Sequence, residues 1–288
     1  MITLLVVISA SYFLMKIAPG NPWEGERSLS PQALNALKQK YDFTLWEYLS
    51  GIIFSGDFRY SYQHRDMRVS QIIMQTLPCS IELGLWALLL ALFFGTLGGT
   101  GAALLKGSGA DNFIMVFALI GIAIPNFVIG PILQLFFSLK LNITPVAGWS
   151  SFSSKILPSI TLSLMYISYI SRICRSSLLE TGTKDFIRTA KAKGLSGGQI
   201  MRRHIFRNSL LPLVNFLGPA TAALITGTLV VEKIFNIPGM GRYFVESALQ
   251  RDYPVALGVL IVFSALLLLF NLITDILQAF IDPRIRLV

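Results

Sequence analysis

Charged residues, histidine and cysteine are scarce in this sequence of 288 residues. Only 14% of the residues are Asp, Glu, Lys or Arg, whereas about a quarter are charged in a typical soluble domain. The two histidines, His64 and His204, lie outside the long apolar segments and form no His-Glu-x-x-His zinc motif. No Gly-x4-Gly-Lys-Ser/Thr sequence is present, so the chain has no P-loop for a nucleotide. We therefore expect no cofactor, no metal site and no catalytic site.

Long uncharged segments are the main feature of the chain. Hydrophobic residues make up 53% of it, and its mean hydropathy is +0.64. A helix of about 20 apolar residues crosses the ~30 Å hydrocarbon core of a bilayer. We therefore predict an all-α, polytopic membrane protein with six transmembrane helices. The predicted spans cover residues 2–18, 79–105, 112–139, 158–179, 210–231 and 254–280.

The stretch 172–207 determines the predicted orientation. It holds nine Lys or Arg against two acids, and this surplus of +7 supplies most of the formal charge of +9. Loops on the cytoplasmic side of membrane proteins collect positive charge, so we place this loop inside. With six spans both termini are then cytoplasmic, residues 19–77 form an extracytoplasmic region, and residues 281–288 form a cytoplasmic tail. No aromatic residues interleave with the basic ones, so we expect no nucleic-acid partner.

The first apolar segment, residues 2–17, is interpreted as a retained helix and not as a cleaved signal peptide. It has no basic n-region, and Pro19 follows the small Ala18 at the candidate cleavage site. Under the predicted topology Cys79 and Cys174 lie at opposite membrane faces, so we expect no disulfide between them.

Acidic groups are few within the predicted spans. Glu82 and Asp275 lie near the ends of their helices, so no chain of acids crosses the membrane. A proton or sodium relay is therefore disfavoured. Small residues cluster at 95–101 and 218–227. They indicate either a pore wall or ordinary close packing of helices, and the sequence leaves both alternatives open.

Prolines predict interruptions at two places. Residues 69–77 are expected to form an amphipathic lead-in that ends at Pro78. Pro125 and Pro131 are expected to kink the span 112–139, because proline removes a backbone hydrogen bond from a helix interior. A kinked helix beside a translocation pathway fits this pattern, although kinks also occur in ordinary membrane bundles.

The basic loop carries the signals of two short helices joined at a glycine. Asp185 is expected to cap the first helix, and Gly194 to end it in the left-handed conformation. Ser196 and Gln199 have the spacing of a capping box for the second helix. This arrangement fits either docking into a groove of a soluble partner or a plain stabilising loop. In the docking alternative, an apolar ridge within a basic rim is presented by Phe186, Ile187 and Ala190.

Arg188-Thr189-Ala190, followed by Gly194 and by Leu210-Leu211-Pro212, resembles the EAA loop of ABC-transporter permease subunits of the binding-protein-dependent import class. Arg188 stands where the general pattern has Glu, and the interval from Gly194 to Pro212 is longer. Both departures are typical of the dipeptide/oligopeptide permease branch. Further segments similar to this branch are Ala18-Pro19-Gly20-Asn21-Pro22, Gly56-Asp57-Phe58, Pro238-Gly239-Met240-Gly241-Arg242, Arg251-Asp252-Tyr253 and Asp282-Pro283-Arg284-Ile285-Arg286.

Gly25-Glu26-Arg27 is similar to the B-type subunit of oligopeptide permeases. The resemblance implies the type I ABC importer permease fold over residues 78–280, with a cytoplasmic coupling loop at 180–209, in a bacterial cytoplasmic membrane. It implies a second, C-type permease subunit, two cytoplasmic ATP-binding subunits that hydrolyse ATP, an extracytoplasmic solute-binding protein and a peptide substrate. Dipeptides, nickel chelates, haem and opines are alternative substrates of related permeases. An ion-coupled secondary transporter is the rival function.

Particular residues are candidates for these roles. The resemblance implies contact with an ATPase subunit for the loop residues Phe186, Ile187, Arg188, Thr189, Ala190, Lys191, Gly194, Leu195 and His204. Residue type, depth and the turns of the outer loop 232–253 predict a place in the pathway or its gate for Pro125, Asn126, Thr226, Pro238, Gly239 and Gly241. A role in bridging helices is the alternative for the polar members of this second set.

Overall fold

The fold was derived from a computed structural model of the chain, which describes residues 2–17, 43–64, 67–226 and 228–281. Every regular element in these ranges is helical, apart from an isolated bridge between Tyr60 and Arg68. The motifs at 18–22, 25–27 and 282–286 lie outside the described residues. The helices are α1 (Ile2–Ile17), α2 (Leu45–Ser55), α3 (Val69–Leu104), α4 (Gly109–Ala123), α5 (Asn126–Leu133), α6 (Phe152–Gly182), α7 (Asp185–Ala192), α8 (Gly197–Ile200), α9 (Phe206–Thr226), α10 (Leu229–Ile234), α11 (Met240–Leu249) and α12 (Tyr253–Ile281).

The described residues contain four helical segments that are long and apolar enough to cross a bilayer. A fifth crossing results if α4 and the bent segment after it count as one broken span, and α1 is a shorter apolar helix of 16 residues. The predicted all-α, polytopic architecture is confirmed, but the described residues do not contain six uninterrupted spans. The four long segments lie within Val69–Leu104, Phe152–Gly182, Gly197–Ile234 and Tyr253–Ala279.

The predicted helix end at Pro78 is wrong, because α3 runs through this residue as one helix of 36 residues. A proline in a helix interior removes one backbone hydrogen bond and destabilises the helix by about 3 kcal/mol. The first turns of α3 are nevertheless held in place by burial, since Val69 and Ile73 pack against Val255 and Val259 of α12. Tertiary packing therefore overrides the local preference of the proline.

The third predicted span is broken and not merely kinked. α4 ends at Ala123, and the following segment Asn126–Lys140 leaves at an angle of 105°. Ile124 has an extended backbone with φ −95° and ψ 120°, as expected for a residue that precedes a proline. Pro131 causes no comparable break, since it lies inside α5, which continues as a π-helical turn.

α3 and α6 pack against each other along a line of glycines. A Cβ atom placed on Gly99 would lie 2.5 Å from the carbonyl oxygen of Ser171, and the Ser171 hydroxyl donates a hydrogen bond to the carbonyl of Gly95 at 3.1 Å. A Cβ atom placed on Gly218 of α9 would likewise overlap with the side chain of Thr274 of α12. For these small residues, close packing between helices is the observed role.

We expect Gly99→Ala and Gly101→Ala to change stability in opposite directions. The first substitution forces a Cβ atom against the α6 backbone and should lower the free energy of unfolding by about 1–3 kcal/mol. At Gly101 the nearest atom outside its own helix, on Ile114, lies 3.8 Å from the new Cβ. The better helix propensity of alanine should therefore raise the free energy of unfolding by about 0.5–1 kcal/mol. Denaturant unfolding of the purified chain in detergent measures both, and equal effects would contradict the close contact.

Candidate functional site

The basic loop folds as two helices, α7 and α8, that meet at a left-handed glycine. Gly194 has φ +78°, and its N–H donates to the carbonyl of Lys191 at 3.0 Å. Nothing lies within 4 Å of the place where its Cβ would be, so backbone conformation and not space requires glycine here. The turn predicted at Gly194 is confirmed.

The second helix begins with the capping box that the sequence predicts. The N–H of Gln199 donates to the hydroxyl oxygen of Ser196 at 3.4 Å, and the N–H of Ser196 donates to the side-chain oxygen of Gln199 at 3.0 Å. The prediction for the first helix is wrong, because Lys184 occupies the capping position and Asp185 is the first helical residue. There the carboxylate of Asp185 still interacts favourably with the positive end of the helix dipole.

The loop has a small apolar core of its own. Ile187 and Ala190 are 1% and 6% exposed. The expectation that both form an outward ridge is therefore wrong: their three-residue spacing places them on one face of α7, and that face is covered from within the loop. Phe186 is 40% exposed and remains on the outer side. The side chains that complete this core are Leu195, Ile200 and Ile205.

Polar and basic side chains surround Phe186 on the outer face. The Arg188 guanidinium lies 3.5 Å from the Asp185 carboxylate, but both groups are highly exposed, so this pair contributes little to stability. We name this outer face the docking face, after the contact that the sequence predicts for it. Its exposed members are Phe186, Arg188, Thr189, Lys191 and Lys193.

Both ends of the loop continue into long helices. Two residues separate the end of α6 from the start of α7. At the other end of the loop, α8 passes through the π-helical turn Met201–Ile205 into α9. The hydroxyl of Ser177 on α6 donates to the carbonyl of Ser209 on α9 at 2.9 Å. The carbonyl of half-buried His204 accepts the side-chain amide of Asn208 at 2.6 Å. The loop is therefore joined to α6 and α9 at its two ends.

Glu232 is fully buried (0% exposed) and organises the segment from α10 to α11, which we name the outer segment after the outer loop predicted at 232–253. Its Oε1 accepts the hydroxyl of Ser80 at 2.7 Å, and its Oε2 accepts the backbone N–H of Arg242 at 3.0 Å. The hydroxyl oxygen of Ser80 also accepts the N–H of Met240 at 2.8 Å. The carboxylate thus caps the N-terminus of α11, and Ser80 joins this cap to α3.

The glycines of the Pro238-Gly239-Met240-Gly241-Arg242 motif make room for this carboxylate. A Cβ atom on Gly239 would lie 2.3 Å from the carboxyl carbon of Glu232, and one on Gly241 would lie 2.8 Å from the Cα of Leu229. The sequence predicts an outer loop that starts at Glu232, but it does not predict that this acid is buried. The sequence feature that could have indicated this burial is the position of the acid, after an apolar run and seven residues before a glycine-rich helix start.

Gly239 and Gly241 are the predicted pathway residues that the structure brings together, on either side of the Glu232 carboxylate. Pro238, immediately before them, is exposed. Thr226 lies at the end of α9, where its hydroxyl donates to a carbonyl of its own helix, that of Ala222, at 2.9 Å. This bond satisfies the Thr226 hydroxyl hydrogen within its own helix, and the described residues show no bridge from it to another helix.

Pro125 and Asn126 form the corner between α4 and α5. Beyond this corner α5 packs on α10, where a Cβ on Gly130 would lie 3.3 Å from the Phe235 ring. The side-chain amide of Gln134 donates to the carbonyl of Ile234 in α10 at 3.3 Å. The segment that starts at the corner is therefore attached to the outer segment that contains Glu232.

Asp252 is a second buried acid that the sequence did not predict. The Ser61 hydroxyl and the N–H groups of Tyr62 and Gln63 donate to its carboxylate, the last two at 3.0 and 3.2 Å. The Arg251-Asp252-Tyr253 motif thus anchors residues 61–63 to the start of α12. Among the described residues, no three His, Cys, Asp or Glu side chains lie together in a way that would hold a metal.

We expect Glu232→Gln to lower the free energy of unfolding by about 1–3 kcal/mol, because an amide nitrogen would then face a hydrogen-bond donor in a buried site. Glu246→Gln is the matched control in the same segment. Its carboxylate binds Lys233 and Arg242 at 2.7 and 2.9 Å but is partly exposed, so about 1 kcal/mol or less should be lost. Thermal unfolding in detergent compares the two variants. Equal losses of stability would show that the buried cap on α11 contributes no more than the partly exposed ion pairs of Glu246.

One protein family and several known relatives match this chain. Residues 95–287 match the family described as "Binding-protein-dependent transport system inner membrane component". The oligopeptide transport system permease protein OppB of Haemophilus influenzae is 40% identical over 99% of this chain and 95% of its own length. The dipeptide transport system permease protein DppB of Lactococcus lactis subsp. cremoris is 38% identical over 100% of this chain and 96% of its own.

A solved structure shows the same fold at much lower identity. A chain of the MetNI methionine ABC transporter in an inward-facing conformation superposes with a TM-score of 0.63 and 16% identity, over 74% of this chain and 97% of its own. The predicted type I ABC importer permease fold is thereby confirmed. The chain therefore belongs to the family of binding-protein-dependent transport system inner membrane components, the membrane-spanning permease subunits of bacterial ABC importers.

Proposed function

We propose that this chain forms half of the translocation pathway of a peptide importer, with oligopeptides as the expected substrates. A second, C-type permease subunit supplies the other half, and an extracytoplasmic solute-binding protein delivers the peptide. Two cytoplasmic ATP-binding subunits hydrolyse ATP, since this chain has no P-loop. The proposal is supported by relatives named as oligopeptide and dipeptide permeases, whose similarity extends over almost the whole chain.

The observation that carries the coupling mechanism is the geometry of the basic loop. The docking face presents one aromatic ring inside a positive rim, and we propose that it lies in a groove of an ATPase subunit on the cytoplasmic side. Ile187, Ala190 and Leu195 act indirectly, because their packing keeps α7 and α8 in one rigid unit. Movement of the ATPase subunits would displace this unit, and with it α6 and α9.

The orientation proposed for the chain places the loop and both termini in the cytoplasm. Its support is the charge of the stretch 172–207, which follows the positive-inside rule. The outer segment around Glu232 then faces the solute-binding protein. We propose that this segment gates the pathway together with the corner at Pro125 and Asn126, to which α5 and α10 connect it, and with Thr226 at the end of α9.

Docking of the loop is tested by crosslinking from single cysteines, in a chain whose two native cysteines are replaced by serine. Phe186→Cys and Lys193→Cys should crosslink to the co-expressed ATPase subunits, because both positions lie on the docking face. Position 150 is also exposed but lies beyond the other end of α6, so Ser150→Cys should give no crosslink. Crosslinks from position 150, or none from the two loop positions, would overturn the proposed contact.

Gly194→Ala should reduce peptide uptake while the complex still assembles. A side chain in the left-handed conformation costs about 1–2 kcal/mol, which shifts the angle between α7 and α8 without a steric clash. Gly198→Ala in the same loop also meets open space and has no positive φ, so uptake should stay normal. Peptide uptake by Gly194→Asn should fall between that of the two alanine variants, because Asn tolerates the left-handed conformation better than Ala does. Uptake of a labelled peptide by whole cells ranks the three variants, and an unchanged Gly194→Ala would refute a mechanical role of this turn.

A further inference from the structure

A cavity of about 470 Å³ opens between α4 and α6, apart from the loop and the outer segment. α4 contributes one side chain to its wall, and the second half of α6 contributes the others. The lining residues are Met115, Tyr169, Arg172, Ile173, Arg175 and Ser176.

The depth of this cavity follows from the aromatic residues at the other end of α6. The rings of Trp86 and Phe152 lie 5.8 Å apart in an edge-to-face arrangement, and tryptophan is enriched at membrane interfaces. Arg172 comes twenty residues after Phe152, which corresponds to ~30 Å along a helix. This distance equals the thickness of the hydrocarbon core. Arg172 therefore lies where the lipid headgroups begin, on the side of the basic loop.

Of the two cations of this cavity, Arg172 is the one that no acid neutralises among the residues that the structure describes. Its neighbour Arg175 is bound by both oxygens of Asp111, through Nε at 2.7 Å and Nη2 at 2.7 Å. Arg172 is exposed and forms no ion pair with any residue that the structure describes. The Ser176 hydroxyl already donates to the carbonyl of Ile173 at 3.1 Å, so the Arg172 guanidinium is the cationic donor left for an anion, beside the hydroxyl of Tyr169.

The remaining wall suits a hydrocarbon chain and not a peptide backbone. Met115 and Ile173 line the cavity, and the α4 surface above Met115 continues with the exposed aliphatic side chains of Val116 and Leu119. A peptide would require several donors and acceptors for its amide groups. One cation at headgroup depth beside an aliphatic surface instead matches an amphiphile with an anionic head.

We propose that this cavity binds the phosphate of an anionic phospholipid, such as phosphatidylglycerol, from the leaflet on the loop side. The Arg172 guanidinium donates to the phosphodiester, and an acyl chain lies along the exposed side of α4. Pockets with basic residues between transmembrane helices on the cytoplasmic side are suited to such headgroups. A zwitterionic lipid binds more weakly because its own ammonium group compensates the phosphate charge.

Native mass spectrometry of the full-length chain, purified in detergent with its co-expressed partner subunits, measures lipid retention directly. The wild type should retain phosphatidylglycerol in preference to phosphatidylcholine. Arg172→Gln should lower retention of phosphatidylglycerol by about fivefold to tenfold, and Arg172→Lys should restore most of it. Arg207→Gln removes the same charge from an exposed position on α9 and should leave retention unchanged.

A variant that keeps every charge tests the site independently. Met115→Trp fills the cavity and should also reduce retention, with elution from size exclusion as the check on folding. Equal retention by the wild type and Arg172→Gln would overturn the proposal. So would displacement of the lipid by a peptide with a free carboxyl terminus, since the cavity would then belong to the pathway. Lipid retention is measured without transport, so a negative result leaves the proposed peptide uptake unaffected.

Discussion

The close contact between α3 and α6 is the constraint on which the other functional features depend. Glycines on α3 bring the two backbones into close contact, so we expect the two helices to shift together. α6 leads directly into the basic loop, and α3 carries Ser80, whose hydroxyl holds Glu232 and the first turn of α11. A continuous path of packed groups therefore connects the loop at one end of α6 with the outer segment at the other end of this helix. Such a path favours movement of α3 and α6 as one body over independent hinges.

The features that the sequence predicted correctly are those that depend on neighbouring residues. The left-handed Gly194 and the capping box at Ser196 each require a few consecutive side chains, and both are present in the structure. The helical class followed from the long apolar segments, because a chain in lipid must satisfy its own backbone hydrogen bonds. Membership of the family was also predictable, since its motifs are distributed along almost the whole chain.

The features that were missed depend on contacts between distant residues. Glu232 is held by Ser80, 152 positions earlier, and no local pattern announces such a partner. Pro78 fails to end α3 because the turns before it pack on α12, near the other end of the chain. Ile187 and Ala190 were correctly chosen as an apolar face of α7. The predicted outward orientation of this face was wrong, because the sequence does not show that other side chains of the loop pack over it.

The corner at Ile124 and Pro125 has a consequence for how the bilayer meets this protein. α4 has 15 residues and is therefore ~22 Å long, so it ends before the ~30 Å hydrocarbon layer does. The last carbonyls of a helix have no partners within it, and an unpaired group costs several kcal/mol in hydrocarbon. We therefore expect protein or water, and not acyl chains, to cover the carbonyls at this corner. The lipid-facing perimeter of this subunit would then be interrupted ~22 Å from the start of α4.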